Sequence, residues 1–245
     1  MKPYRKIIRP FELPSGDYVN DSMDKWYLID FDYAPDRISL IRAYSILEKD
    51  LVKILEYIEP NDDNLNTYSH RLYEILLRAC TEFETNCKGI LEANSYKKPG
   101  NWNISDYEKI NKSSYLSEYE IQMSIWRGSH KILKPFEDWK TGKSLSWYQQ
   151  YNSVKHDRNN NFKSANLKNV ILAVSGVLTV LFSQFYILAF RSHPVSSIDI
   201  DDTWYLHENS IFAIKPPQNW VINECYDFNW DNLKSQPDKF DNYQF

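Results

Sequence analysis

The stretch Asn169–Phe190, NVILAVSGVLTVLFSQFYILAF, decides how the chain is read. It is 22 residues long, 16 of them are apolar, and it carries no charge. A helix of that length can span a bilayer. Yet Asn169, Ser175, Gly176, Thr179, Ser183 and Gln184 interrupt it, and no second stretch of the kind accompanies it. A helix apolar nearly all round is also what the centre of a helical bundle needs. Two architectures follow. The expected one is a buried core helix with no membrane partner; the weaker one is a single-span anchor through 169–190.

Working outward, the neighbouring segments supply helices able to wrap such a core. Pro35-Asp36 opens one, because proline suits a helix start and an aspartate can cap free N–H groups. Leu40, Tyr44, Leu47, Leu51, Ile54, Leu55 and Ile58 then repeat at i, i+3, i+4, and Pro60 stops the run. A longer helix is expected over Tyr68–Asn94, with Tyr68, Leu72, Ile75, Leu76, Ala79, Phe83 and Ile90 as its apolar face. Arg78 and Glu82 lie off that stripe, one turn apart, where they can pair. Residues 95–104 read as a loop. A short helix follows over Ser105–Asn111, with Ser105 and Glu108 at capping-box spacing.

Between 119 and 136 the period changes. Tyr119, Ile121, Met123 and Ile125 alternate with polar residues, Arg127-Gly128-Ser129-His130 offers a turn, and Lys131–Phe136 can return as a second strand. A helix is expected from Ser144 or Ser146, interrupted near residues 158–162. The next runs from about Ser164 to Arg191. Residues 1–35 read as irregular or short strand, with Trp26, Tyr27, Phe31 and Tyr33 to bury. Residues 192–245 read as a loop and short-strand extension, clamped to the body by Trp204, Phe212, Trp220, Phe228 and Trp230. The expected fold is one domain over 1–245. It is mainly α: a helical bundle at 36–191 with a small β-hairpin near 119–136 and an irregular C-terminal tail.

The chain has 245 residues and near-balanced charge, 29 Lys+Arg against 33 Asp+Glu for a net −4. That argues against a constitutively basic nucleic-acid coat and against an acidic disordered tail. The six glycines make neither G-x-G-x-x-G nor G-x-x-x-x-G-K-[ST], and G-x-S-x-G is missing, which disfavours glycine-cradled phosphate enzymes and α/β-hydrolases. Cys80 and Cys87 lie seven residues apart on an expected helix, roughly 10 Å between Cα atoms, too far for a disulfide. With Cys225 as the third cysteine, the set suits a reducing cytoplasm. The basic N-terminus lacks the apolar run of a signal peptide. The five histidines form no metal-ligand spacing, so neither a metal nor a cofactor is expected.

The segment Trp147–Asn166, WYQQYNSVKHDRNNNFKSAN, carries the candidate chemistry. Asn152 and His156 are four apart and point to one side of a helix, with Gln149 along the same line. Lys143, Lys155, Arg158, Lys163 and Lys168 against Asp157 give a local +4. A basic, aromatic-rich helix can be offered to RNA or to a phosphate. The same pattern also describes a solvated face over a core of Trp147 and Tyr151.

The spacing Y-N-S-V-K-H at 151–156 resembles the R-N-x-x-x-H motif of the HEPN superfamily, the higher-eukaryote and prokaryote nucleotide-binding domains. Asn152 matches the motif asparagine and His156 its histidine; Tyr151 stands where the motif has arginine. The helix bearing LLRACTEFETNCK, with Arg78, Glu82 and Cys87, is also similar to bacterial proteins that pair it with a later Y-N-x-V-K-H-D-R-x-x-N-F segment. The resemblance implies an all-α bundle with the motif on a late helix. Many members are metal-independent RNases of toxin–antitoxin and other defence systems, and others bind nucleotide or protein partners without catalysis. It implies a homodimer through the motif-bearing helices, to which the aromatic 147–151 segment would add apolar contact, and an antitoxin-like protein partner.

In an active member His156 would take the proton of a ribose 2′-OH, its free pKa of ~6.5 suiting that work. Arg158 or Lys155 would steady the phosphorane charge, and Asn152 would orient the imidazole or a phosphate oxygen. Arg78, Glu82, Tyr151 and Gln149 would line the site, Glu82 holding the second imidazole nitrogen. Without the motif arginine, the first expectation is a nucleotide-, RNA- or partner-binding module. The alternative is a metal-independent endoribonuclease.

Overall fold

The computed structural model describes residues 1–11, 22–186, 197–201, 204–207 and 210–245. Helix α1 is Arg37–Leu55, and its stripe buries Leu40, Tyr44, Leu47 and Leu51. Asp36 makes no cap bond. It instead takes the Lys6 ammonium, at 2.6 Å, from the N-terminal arm. Helix α2 is His70–Ala93, opened by Ser69, whose hydroxyl accepts the Leu72 N–H. Tyr68 therefore precedes the helix and is not part of its buried stripe. Short helices α3 (Ile104–Tyr107) and α4 (Ile110–Ser114) follow. The cap of α3 is Asn103, not Ser105: its side chain accepts the Ser105 N–H, and Asp106 returns a bond to the Asn103 N–H.

Strands β1 (Glu120–Met123) and β2 (Ile132–Leu133) form the expected hairpin, with Ile121 opposite Leu133. Asp62 holds its tip, accepting from the Trp126 indole, the Ser129 hydroxyl and N–H, and the His130 ring. Then come α5 (Ser146–His156), α6 (Arg158–Asn161) and α7 (Leu167–Phe185). The chain continues through β3 (Ser197–Asp201), β4 (Trp204–His207), β5 (Phe212–Lys215) and α8 (Trp230–Leu233). The protein is mainly helical.

The C-terminal extension is more ordered than its sequence implies. Strand β5 pairs antiparallel with β1, Met123 opposite Phe212 and Ile121 opposite Ile214, so the hairpin is one edge of a five-stranded sheet of order β2-β1-β5-β4-β3. A lone two-stranded hairpin is marginal in water, and the third strand lies far along the chain. Trp220, Phe228 and Trp230 of the extension are buried, as are Tyr27 and Tyr33 near the N-terminus. Trp26 and Phe31 are not buried: they stay 54% and 75% exposed, because Tyr27 and Leu28 take the inward positions of the Ser22–Ile29 3₁₀ turns.

Helix α7 is the core. All its residues except Lys168 and Leu172 are buried, so the face that a membrane span would turn to lipid is packed against the chain's own elements. Ser175, Thr179 and Ser183 satisfy their hydroxyls on carbonyls of the same helix. Gly176 permits close approach, since a Cβ there would sit 3.3 Å from the Trp147 ring. Residues 187–191 of the expected helix lie outside the described residues.

Helices α2 and α7 run parallel. At one end Tyr68 bridges Asn166, the Leu167 N–H donates to the Thr67 carbonyl at 2.8 Å, and the Lys168 N–H to Leu65 at 3.0 Å. At the other end the buried Gln184 amide donates to Asn86 Oδ1 at 2.8 Å. The near-equal spacing from Ser69 to Asn86 and from Asn166 to Gln184 fixes the common direction. The N-terminal arm crosses the far ends of both helices. Ile8 N–H donates to the Ser183 carbonyl, the Asn94 amide to the Arg5 carbonyl, and Tyr226 Oη to the Ile7 carbonyl.

Asn86→Ala removes the acceptor of a buried amide. It is expected to lower stability by about 1–3 kcal/mol, seen as a lower urea midpoint with unchanged slope. An unchanged midpoint would show that the Asn86–Gln184 tie does not hold the helix pair.

Candidate nucleic-acid interface

Helix α5 is built on two faces. Trp147, Tyr148, Tyr151 and Val154 point inward. Gln149, Lys155 and His156 are exposed and Asn152 is half-buried. Tyr148 Oη donates to Glu84 Oε1 of α2 at 2.9 Å, and Lys155 Nζ donates to Tyr151 Oη at 3.0 Å. Burial pushes the Tyr151 phenol up, and the hydrogen bond to Tyr151 holds the Lys155 ammonium above its ordinary value. The position that carries arginine in the resembled motif therefore faces the interior, with its hydroxyl tied to Lys155. The aromatic 147–151 segment is used inside the fold: Trp147 is 1%, Tyr148 7% and Tyr151 3% exposed. It is not available for the dimer contact expected of it.

The helix ends at Asp157, whose non-helical backbone (φ −144°, ψ 77°) breaks the run. Lys155 and His156 occupy the last turn, where cations complement the carbonyl end of a helix. The Asp157 carboxylate then accepts the Asn160 N–H and caps α6. Arg158 is the first residue of α6. Its guanidinium carbon lies 5.9 Å from the Tyr73 ring centre of α2. His156 is exposed and makes no hydrogen bond or ion pair among the described residues, and the same holds for the Asn152 side chain.

Arg78 and Glu82 do not join this group. Arg78 donates across the α1–α2 seam to Asp50 at 2.6 Å and makes no ion pair with Glu82. The partner on the adjacent helix offers better geometry than the one a turn away. Glu82 is half-buried, burial raises its carboxyl, and no hydrogen bond links it to His156. Asn152, Lys155 and His156 thus share one end of α5, while Arg158 turns to α2 and Arg78 to α1.

The α2 contact brings in residues the sequence analysis missed. The backbone pairing of 65–68 with 166–168 sets the Tyr68–Tyr73 segment beside α6. The Phe162 ring lies 4.7 Å from His70, 5.6 Å from Tyr68 and 6.2 Å from Tyr73. Tyr68 is 42% exposed, His70 is exposed and Phe162 is half-buried. Over residues 68–74 and 155–168 there are five cations, Arg71, Lys155, Arg158, Lys163 and Lys168, against Glu74 and Asp157. Glu74 is taken by Arg71 and Asp157 is used as a cap, so Arg158, Lys163 and Lys168 make no ion pair among the described residues. One signal was present in the sequence: Phe162 is an isolated ring within the polar run 157–164.

Among the described residues, no group of three His, Cys, Asp or Glu could hold a metal ion. Cys80, Cys87 and Cys225 are free and buried. Comparison of the chain with protein-family models, with curated proteins and with solved structures finds no match.

Because His156 is solvated and unpartnered, His156→Ala at neutral pH is expected to change stability by less than about 0.5 kcal/mol. Tyr151→Ala, which empties a core position, is expected to lose about 3–5 kcal/mol. Urea midpoints of the two variants check this; similar losses for both would place His156 in the structural core.

Proposed function

We propose that the chain is a HEPN-like helical module that binds RNA or a nucleotide through the corner made by residues 68–74 and 155–168. One observation carries the reading: among the described residues Arg158, Lys163 and Lys168 make no ion pair, and they share the 155–168 segment with the Phe162 ring, in a chain whose net charge is −4. Charge left unneutralised on an acidic protein is what phosphate binding uses. The bacterial defence or toxin–antitoxin setting, the homodimer and the antitoxin-like partner follow from the motif resemblance. A dimer would have to form through surfaces other than the buried 147–151 segment.

A second reading, a metal-independent endoribonuclease with His156 as base, draws on the exposed ring flanked by Lys155 and Arg158. Two features weigh against it: Tyr151 turns the motif-arginine position inward, and among the described residues no polar partner orients His156. Binding without cleavage is therefore the favoured function.

Titration with a labelled oligoribonucleotide at roughly 50 to 200 mM salt tests it: log Kd should rise with log salt, and Arg158→Ala with Lys163→Ala should reduce the slope by about 1–2. Absence of binding, or an unchanged slope in the double variant, would overturn the proposal. In the same samples with EDTA the oligonucleotide should stay intact. Cleavage abolished by His156→Ala would establish the enzyme reading instead.

A further inference from the structure

We infer that the ligand of this corner is single-stranded RNA, whose unstacked bases lie on a platform of Tyr68, His70 and Phe162. The inference rests on the RNA-binding reading above and adds the form of the ligand. The core buries most of the large rings, from Tyr27 and Tyr33 to Trp147 and Tyr226. Here, three rings from two distant segments meet in partial exposure. Phe162 sits at the centre, and His70 and Tyr68 stand at the solvent edge. The His70 and Phe162 planes are tilted by 41° and the Tyr68 and Phe162 planes by 86°, so neither neighbour is stacked flat on Phe162. The exposed surface of Tyr68 and His70 is a place for a base, since every base has a π-face.

The cations complete the chemistry. Arg158 lies over Tyr73, itself in contact with Phe162, and the exposed Lys163 follows Phe162 in sequence, so the phosphates of a bound strand have cationic partners beside the rings. Asn159, exposed on α6, adds an amide able to bond a base edge. A duplex would engage the cations but leave the rings empty, because its bases are already stacked and its recognition runs through backbone and 2′-hydroxyls.

The test is fluorescence anisotropy of the full chain with a labelled oligouridylate of about 12 nucleotides and an RNA duplex of equal length, at roughly 50 mM salt. The single strand should bind at least about tenfold more tightly than the duplex. Tyr68→Ser and Phe162→Leu should each weaken single-strand binding about tenfold and leave duplex binding within about twofold. Tyr68→Ser alters an exposed ring ahead of the helix cap, so it keeps the test valid if Phe162→Leu does not fold. Equal affinity for both forms, with the ring variants silent and Arg158→Ala still weakening both, would overturn the single-strand platform and leave RNA binding standing. No binding of either form would overturn both.

Discussion

The parallel pairing of α2 and α7 is the constraint on which the rest of the molecule depends. An uncharged apolar helix needs partners on nearly every side, and α2 supplies the largest of them. The Asn86–Gln184 bond at one end and the 65–68 pairing with 166–168 at the other fix both register and direction. Parallel helices bring like ends of their dipoles together. At the C-terminal ends the arm places Arg5 and Lys6 close by, and the buried Lys6 takes the left-handed backbone (φ 57°) with its ammonium on Asp36. At the N-terminal ends neither helix has an acidic residue in its first turn.

That asymmetry is what gives the corner its character. Two positive helix ends, an α5 that terminates in Lys155 and His156, and an α6 that begins with Arg158 converge on one surface. The break at Asp157 matters as much as the charges. Had the helix continued, Arg158 would have fallen four residues after Val154, on the inward face of α5. The capped restart instead turns it toward Tyr73 and brings Phe162 under Tyr68 and His70. The Y-N-S-V-K-H segment ends at this corner, and the residues proposed to hold a ligand lie on both sides of it.

The sequence was legible where a pattern is local. Period-3.6 stripes placed α1 and α2 to within a few residues, and the uncharged apolar run placed α7; Tyr151, expected to line the site, is instead buried. Period-two alternation placed the 120–133 hairpin. What escaped depends on contacts between distant segments. β5 joins β1 across nearly ninety residues, so the sheet could not be seen from either part. Arg78 chose Asp50 over Glu82 because α1 packs against it. Asn103 capped α3 in place of Ser105 because the reciprocal acceptor is Asp106, two positions before the expected Glu108. Tyr68 read as one more core position, although the Ser69 cap puts it outside the helix, and its neighbours arrive only when α7 docks.

Hydrogen exchange of the backbone amides, with and without a single-stranded oligouridylate, tests the central claim most directly. Protection gained at 68–73 and 158–168, with the arm and the 226–243 segment unchanged, is the predicted result. Protection gained elsewhere and absent from that corner would contradict the account.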